Sequence, residues 1–306
     1  MTTFRARMIN FMLRNRHLFK GKRRKEKYDM NTSIVGFRRM CEEGATRYAK
    51  IPGGITIKKD IIAGLPAEWL IPEGAESGKV ILYVHGGGYV SGSCNDHRAF
   101  VSKFAKNTGF TVLIYEYRLA PEFPFPAAVD DSVSVYNWLL ENGYPTDKIL
   151  VAGESAGGGL TLVLLLALKE KSLPMPKAAV SISPWADLTC SSDSYKTKNK
   201  VSLAPLDSWF VFSRHYAGNT PPAHPLISPL FGDLAGLPPL FINSGDADEL
   251  YEDGEKFAAK ASESGVDVTF RKGRNMVHCY PLLAPMFPEA TEAMNEIVDF
   301  VKKRLN

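Results

Sequence analysis

The chain has 306 residues, of which 45% are hydrophobic and 23% are charged. These values are close to those of average globular proteins, so they exclude a disordered chain and a protein made of membrane-spanning helices. The formal net charge of +4 is uneven, because residues 1–30 carry ten Lys and Arg against two acids, which leaves the remaining residues at −4. A chain of this length can form one large α/β domain.

Residues 1–50 are predicted to be a helical segment that belongs to a cap. Within it, Phe4, Met8, Phe11 and Met12 recur at helical spacing, with arginines among them. Such a helix could rest on an anionic membrane surface or on acidic partners, or it could cover the functional site and keep a solvated basic face. We favour the second alternative. The rest of the chain has no basic face or recognition motif, so nucleic acid is not a predicted partner.

The cysteines and the N-terminal sequence indicate the compartment. Cys41, Cys94, Cys190 and Cys279 lie far apart, without the spacing typical of a zinc site or a disulfide framework. Charges interrupt every apolar stretch at the N-terminus, unlike a signal peptide. We therefore expect a cytoplasmic protein.

Short apolar runs alternate with helical patterns from residue 54 onward. Strands are predicted at residues 54–62, 67–71, 80–84, 111–117, 148–152, 177–183, 238–244 and 268–272. Helices are predicted at residues 96–109 and 126–143, after Ser155, and at 250–265 and 288–305. This order predicts an α/β fold with a mostly parallel eight-stranded sheet, helices on both faces and an antiparallel start.

One long region interrupts the alternation. Residues 188–224 are inserted between two strands, at the carboxyl edge of the sheet where a lid would lie. We assign this insertion, together with residues 1–50, to a helical cap. The catalytic domain is then predicted to comprise residues 51–187 and 225–306.

Three glycines follow the third predicted strand, in the sequence HGGG at residues 85–88. Glycines there let the backbone approach a substrate with its amides directed inward, which is what an oxyanion hole requires. Gly87 and Gly88 are the candidate donors, and the amide of Ala156 at the start of a helix is the third. A phosphate-binding loop is disfavoured, because the Lys and Ser/Thr of a P-loop are missing. A plain glycine turn is the remaining alternative.

The candidate nucleophile is Ser155, in the sequence GESAG at residues 153–157. An apolar run before it and a Leu/Ala-rich stretch after it predict a strand, a sharp turn and a helix in succession. In such a turn, the flanking glycines let the serine hydroxyl project from the end of the sheet. A Ser/Gly-rich turn without a catalytic role would use the same five letters, so the assignment depends on the other parts of the site.

A catalytic base is expected after Ser155, because α/β-hydrolases carry their triad in the order serine, acid, histidine. Three histidines follow it. His215 and His224 fall in the predicted cap, whereas His278 follows the last predicted strand. His278 is therefore the candidate base.

The acid is expected directly after the strand at residues 238–244, where the sequence DADEL offers Asp246 and Asp248. We choose Asp248. Asp246 stays open at this point, because one residue in a tight loop reverses the direction of a side chain.

The chain resembles the hormone-sensitive-lipase-like family of α/β-hydrolases, which includes bacterial carboxylesterases. The resemblance covers roughly residues 54–305 and is carried by successive blocks: HGGGYVSGS, YRLAPEFPFPAAVDD, GESAGGGL, SPWADL, HPLISPLFGDLAGLPPLFINSGDADEL and MVHCY. It implies a triad and an oxyanion hole at the positions already singled out: Ser155, Asp248 and His278, with Gly87, Gly88 and Ala156. It also favours Asp248 over Asp246 and implies a cap.

Two residues depart from the family pattern. Glu154 stands where many members have Asp, and Cys279 stands where Gly is frequent. We expect the first to change little and the second to crowd the histidine loop or to offer a thiol to oxidants.

The resemblance implies a serine carboxylesterase that hydrolyses short- to medium-chain esters through an acyl-enzyme, without metal or cofactor. An amidase or deacetylase with the same triad is the alternative, and a non-catalytic small-molecule receptor is disfavoured because no triad member is missing. Family members often pair through the last strand and helix, so a homodimer through residues 268–272 and 296–305 is a further expectation.

Overall fold

The computed structural model describes residues 2–19, 21, 23–48 and 50–306. Its sheet has eight strands, in the spatial order β1-β2-β4-β3-β5-β6-β7-β8. Their bounds are β1 Ile55–Ile62, β2 Leu65–Pro72, β3 Val80–Val84, β4 Thr111–Tyr115, β5 Ile149–Glu154, β6 Ala178–Ile182, β7 Leu240–Gly245 and β8 Val268–Gly273. The predicted fold class and each predicted strand are confirmed.

Only one edge of the sheet is antiparallel. β2 runs antiparallel to both β1 and β4, whereas every pairing from β4 to β8 is parallel. The carboxyl ends of β3, β5, β6 and β7 therefore lie side by side. In this register Val84 lies opposite Gly153, and Glu154 lies opposite Ile182, so the loops that follow these strands converge at one edge.

Helices cover both faces of the sheet. Their bounds are α1 Phe4–Arg14, α2 Arg16–Phe19, α3 Ile34–Tyr48, α4 Cys94–Thr108, α5 Ala127–Glu141, α6 Ala156–Glu170, α7 Ser194–Thr197, α8 Ser208–Ala217, α9 Tyr251–Glu263 and α10 Pro288–Leu305. Phe104 of α4 and Ile297 of α10 belong to one core cluster, and the α6 leucines belong to the other. Because α6 is buried from Ala156 to Leu168, its apolar run is explained by the core.

The two segments assigned to the cap contact each other. A short backbone pairing joins them, in which the Tyr28 amide donates to the Leu206 carbonyl and the Leu206 amide donates to the Glu26 carbonyl, both at 2.9 Å. The rings of Tyr28 and Phe37 also pack against Phe212 of α8. The predicted cap boundaries at residues 50, 187 and 224 stay a prediction.

The apolar side of α1 faces solvent. Phe4 is 81% and Phe11 63% exposed, and Met8 and Met12 are each 47% exposed. The helix packs instead through a side of smaller residues, Ala6, Ile9 and Asn10, against a cluster that contains Met276, Val277 and Phe287. Lys20 and Lys22, two of the N-terminal cations, lie outside the described residues. Within the described ranges, each helix is too short or too polar to cross a bilayer.

Candidate active site

Ser155 occupies the sharp turn between β5 and α6. Its backbone has φ 59° and ψ −125°, a conformation that a non-glycine residue adopts only under strain. Three backbone hydrogen bonds fix it: the Ser155 amide donates to the Ile182 carbonyl at 2.9 Å, and the Ser155 carbonyl accepts from the amides of Gly159 and Trp185. A Cβ at Gly157 would lie 2.2 Å from the Val84 carbonyl oxygen, so only glycine lets α6 start this close to β3.

The loop after β3 brings its glycines beside this turn. A Cβ at Gly86 would lie 3.2 Å from the Ser155 Cβ. Gly87 and Gly88 have φ of 118° and 66°, which glycine tolerates best. In the described part of the chain, the amides of Gly87, Gly88 and Ala156 have no hydrogen-bond acceptor. Three free donors thus lie around the serine turn.

Asp248 and His278 are in contact. His278 Nδ1 donates to Asp248 Oδ2 at 2.5 Å, with Asp248 fully buried and the His278 side chain 18% exposed. Burial alone would lower the pKa of His278, but the Asp248 charge and hydrogen bond outweigh it and hold that pKa well above its ordinary value. An imidazole held this way is a strong base with one fixed tautomer.

One peptide group connects the serine turn with the histidine loop. The Ile182 carbonyl, at the end of β6, accepts from the Ser155 amide and from the Cys279 thiol, the latter at 3.9 Å. The next residue, Ser183, accepts the Cys279 amide on its hydroxyl at 3.0 Å. The residue that follows His278 is therefore attached to the same strand end as Ser155.

Asp246, the other candidate acid in the sequence, has a different role. Asp246 Oδ1 accepts from the backbone amide of Asn275 at 2.6 Å and so supports the start of the histidine loop. His215 and His224 lie elsewhere, near Glu122 and against the Phe125 ring respectively.

Cys279 has φ 51°, in the left-handed region where glycine is favoured. A glycine, which the resemblance led us to expect at this position, would adopt that backbone angle without strain. The cysteine is accepted here at the cost of local backbone strain. The expectation that it crowds the histidine loop or offers a thiol to oxidants stays a prediction.

A buried polar chain behind the serine was not found from the sequence. His97 of α4 lies between two carboxylates: its Nδ1 contacts Asp96, and its Nε2 contacts Glu154 Oε1 at 3.0 Å. The same Glu154 oxygen accepts the Gly86 amide at 2.6 Å. Burial lowers the pKa of His97, but hydrogen bonds to the two carboxylates raise it to about 10. A charged His97 thus fixes Glu154, which in turn fixes the glycine loop.

The sequence gives only a weak indication of these buried polar contacts. Glu154 next to the nucleophile drew attention as a departure from Asp, but its partners come from a loop and a helix far away in the sequence. The carboxylate at this position holds the first glycine of HGGG, and the expectation that Glu in place of Asp changes little stays a prediction.

Helix α8 covers the site with two aromatic rings one turn apart. Phe212 lies 2.5 Å from where a Cβ at Gly88 would be, and the Trp209 ring is 5.8 Å from the His278 ring, edge to face. Trp209 also packs on Trp185 at 4.9 Å. The space above Ser155 is thus bordered by aromatic side chains of the 188–224 insertion.

Comparison with known proteins agrees with this architecture. A family model described as the alpha/beta hydrolase fold matches residues 81–282. The chain is 41% identical over 238 residues to an acetyl-hydrolase of Streptomyces hygroscopicus, covering 77% of this chain and 79% of that protein. It is 34% identical over 248 residues to an esterase of Acinetobacter venetianus, covering 80% and 82% respectively.

Solved structures agree in the same way. A crystal structure of an esterase from the bacterial hormone-sensitive lipase family superposes with a TM-score of 0.90 at 34% identity, over 100% of both chains. The esterase EstE5 soaked with p-nitrophenyl butyrate superposes with a TM-score of 0.90 at 36% identity, over 99% of both chains. This chain therefore belongs to the hormone-sensitive-lipase-like esterases of the α/β hydrolase family and is a carboxylic ester hydrolase.

Proposed function

We propose that the protein hydrolyses esters with short- to medium-chain acyl groups through a Ser155–His278–Asp248 triad and a covalent acyl-enzyme. The observation that carries the proposal is the 2.5 Å contact between His278 and Asp248, on a loop attached to the same strand end as the Ser155 turn. The relatives named acetyl-hydrolase and the soaked butyrate ester of EstE5 support the acyl length.

In this mechanism His278 takes the Ser155 proton as the hydroxyl oxygen attacks the ester carbonyl. The carbonyl oxygen becomes an oxyanion, which the amides of Gly87, Gly88 and Ala156 stabilise. His278 then donates its proton to the leaving alcohol. It next activates a water that hydrolyses the acyl-enzyme, while Asp248 keeps the ring in one tautomer and stabilises the imidazolium.

The test is a pre-steady-state reaction with p-nitrophenyl acetate. An acyl-enzyme predicts either a burst of p-nitrophenol or turnover that is lost in Ser155→Ala. Turnover that survives in Ser155→Ala would contradict the proposal, and no turnover by the unmodified protein would favour a receptor. Comparing an ester with its matched anilide tests the amidase alternative, since an amidase would cleave both.

Three further proposals concern the partners and the cellular location of the protein. The exposed apolar stripe of α1, next to exposed Arg5 and Arg7, fits an anionic membrane surface, which we propose as its contact. A homodimer through β8 is supported by its place at the sheet edge. Cytoplasmic location is supported by the four cysteines, each of which is a free thiol.

A further inference from the structure

A second carboxylate of the acid loop has no part in the mechanism above. Glu249 directly follows Asp248, and its side chain is only 2% exposed. A buried carboxylate is strongly unfavourable unless it has hydrogen-bond partners, so its partners indicate why it is there.

The partners of Glu249 come from the cap. Its Oε2 accepts from the indole Nε1 of Trp209 at 3.0 Å, and the Ser202 hydroxyl lies beside the same carboxylate. Lys25 faces it with a positive charge, and the Lys25 ammonium donates to the carbonyls of Asn199 and Ser202. Glu249, on the acid loop, thus faces α8, the part of the insertion that precedes α8, and the N-terminal segment.

Trp209 is the member of this set that borders the reaction. Its ring lies edge to face on the His278 imidazole, with 5.8 Å between ring centres, and it is 5% exposed. Since His278 Nδ1 is bound to Asp248, Nε2 is the nitrogen left for the leaving alcohol. The substituent of that alcohol therefore extends beside the imidazole, where Trp209 forms a wall.

We propose that Glu249 is a positioning residue that holds Trp209 against His278 and so determines which leaving alcohols the esterase accepts. The inference rests on the proposed function, because it requires that His278 protonates the alcohol. Without the carboxylate, the buried indole N–H loses its acceptor and the ring is free to turn.

The test varies the alcohol while the acyl group stays constant. Methyl, ethyl, butyl and phenyl acetates all give the same acetyl-enzyme, so differences in kcat/KM among them report leaving-group contacts. In Glu249→Ala, we expect the ratio of kcat/KM for butyl over methyl acetate to change by about tenfold, the discrimination that a hydrophobic wall provides. The deacylation rate, measured with p-nitrophenyl acetate, is expected to stay unchanged.

Two further variants separate positioning from general support. Burial and the neighbouring Asp248 raise the pKa of Glu249 to about 7, against the lowering effects of Ser202, Trp209 and Lys25, so an uncharged side chain fits this place. Glu249→Gln keeps an acceptor oxygen, so its ratio of kcat/KM for butyl over methyl acetate is expected to equal that of the unmodified protein. Glu252→Ala removes a nearby carboxylate whose partner is Lys256, and it is the matched control with no expected change.

Trp209→Phe keeps an aromatic ring but removes the N–H, and it is expected to shift the alcohol ratio as Glu249→Ala does. If Glu249 acts through Trp209, adding Glu249→Ala to Trp209→Phe changes the ratio no further. The inference would be overturned if Glu249→Ala lowered kcat/KM equally for every alcohol, or if the effects of Glu249→Ala and Trp209→Phe on the ratio were additive. If Glu249→Ala does not fold, the ratio of kcat/KM for butyl over methyl acetate in Trp209→Phe becomes the test. A ratio equal to that of the unmodified protein would also overturn the inference. Failure of Ser155→Ala to abolish turnover would instead overturn the triad.

Discussion

Asp248 and Asp246 differ by two positions and have different partners, so they offer a matched pair of substitutions. We expect Asp248→Asn to lower kcat about 10³- to 10⁴-fold, because the amide cannot hold the His278 tautomer that accepts the serine proton. Asp246→Asn keeps an acceptor oxygen for the Asn275 amide, and its kcat is expected to fall far less. Steady-state kinetics with p-nitrophenyl acetate measure both. A larger loss in Asp246→Asn would mean that the acid is wrongly assigned.

The same contact predicts the pH dependence. Because the Asp248 charge raises the pKa of His278 above its ordinary value, the imidazole is protonated and inactive as a base up to a higher pH than a free histidine would be. The acidic limb of kcat/KM is therefore expected above pH 6.5 and at lower pH in Asp248→Asn. A limb that stays at the same pH in both proteins would show that the Asp248 charge does not act on His278.

His97 predicts a pH dependence of stability. Its pKa is raised from 6.5 to about 10 in the folded protein, so the folded state holds the proton more tightly than the unfolded chain does. The stabilisation is fully present below about pH 6.5 and is lost as the pH rises through about 10. Urea unfolding at pH 7 and pH 10 is expected to show a smaller decrease in His97→Asn than in the unmodified protein. His215→Asn, at a half-buried histidine of α8 that has no contact with Glu154, is the control, and an equal decrease in all three proteins would contradict the expectation.

At the scale of single elements, α1 predicts a membrane contact. Vesicles that contain phosphatidylserine are expected to bind the protein at low salt and release it at high salt, since Arg5 and Arg7 flank the exposed stripe. Replacing Phe4 and Phe11 by Ser is expected to weaken binding about tenfold per residue, the effect of one buried phenyl group.

Phe231→Ser, at a residue 44% exposed in the segment between α8 and β7, is the control that should leave vesicle binding unchanged. Equal binding to vesicles of phosphatidylcholine alone would argue against an electrostatic membrane contact. Association of the protein with itself, abolished by the same Phe4 and Phe11 substitutions, would assign the stripe to a second copy.

Elements differ in how well the sequence predicts them. The strands and the long helices were predictable, because β-branched runs and helical spacing are local patterns. The four-residue helices α2 and α7 lie in the two segments predicted to form a helical cap, but their bounds were not predicted, since so short a segment holds no period. The side of α1 that faces the protein was also not predictable: Ala6 and Asn10 are buried by contacts with residues more than 260 positions away.

For the molecule as a whole, deletion of residues 1–30 tests the N-terminal segment. The deletion uncovers the cluster packed on Ala6 and Ile9 and removes Lys25 from Glu249. We expect Tm to fall by about 5 °C, from roughly 3 kcal/mol of lost apolar burial. The deacylation rate should change little, because no triad residue lies in that segment. Scanning calorimetry measures the first effect, and an unchanged Tm would mean that the segment adds nothing to folding stability.

The candidate site was predictable to the extent that its residues lie at strand ends. Ser155 and His278 follow strands that the sequence reveals, and the topology brings those ends together. The supports behind them were not predictable. Glu154, His97 and Glu249 act through partners on other elements, and no local spacing encodes a pairing that only the folded sheet and cap create.

The shared carbonyl of Ile182 has a mechanical consequence. Since one peptide oxygen accepts both the Ser155 amide and the Cys279 thiol next to His278, a displacement of that strand end is expected to move both segments together. Under the proposed mechanism, such a shared support would help the serine and the histidine to keep their spacing when the strand end shifts.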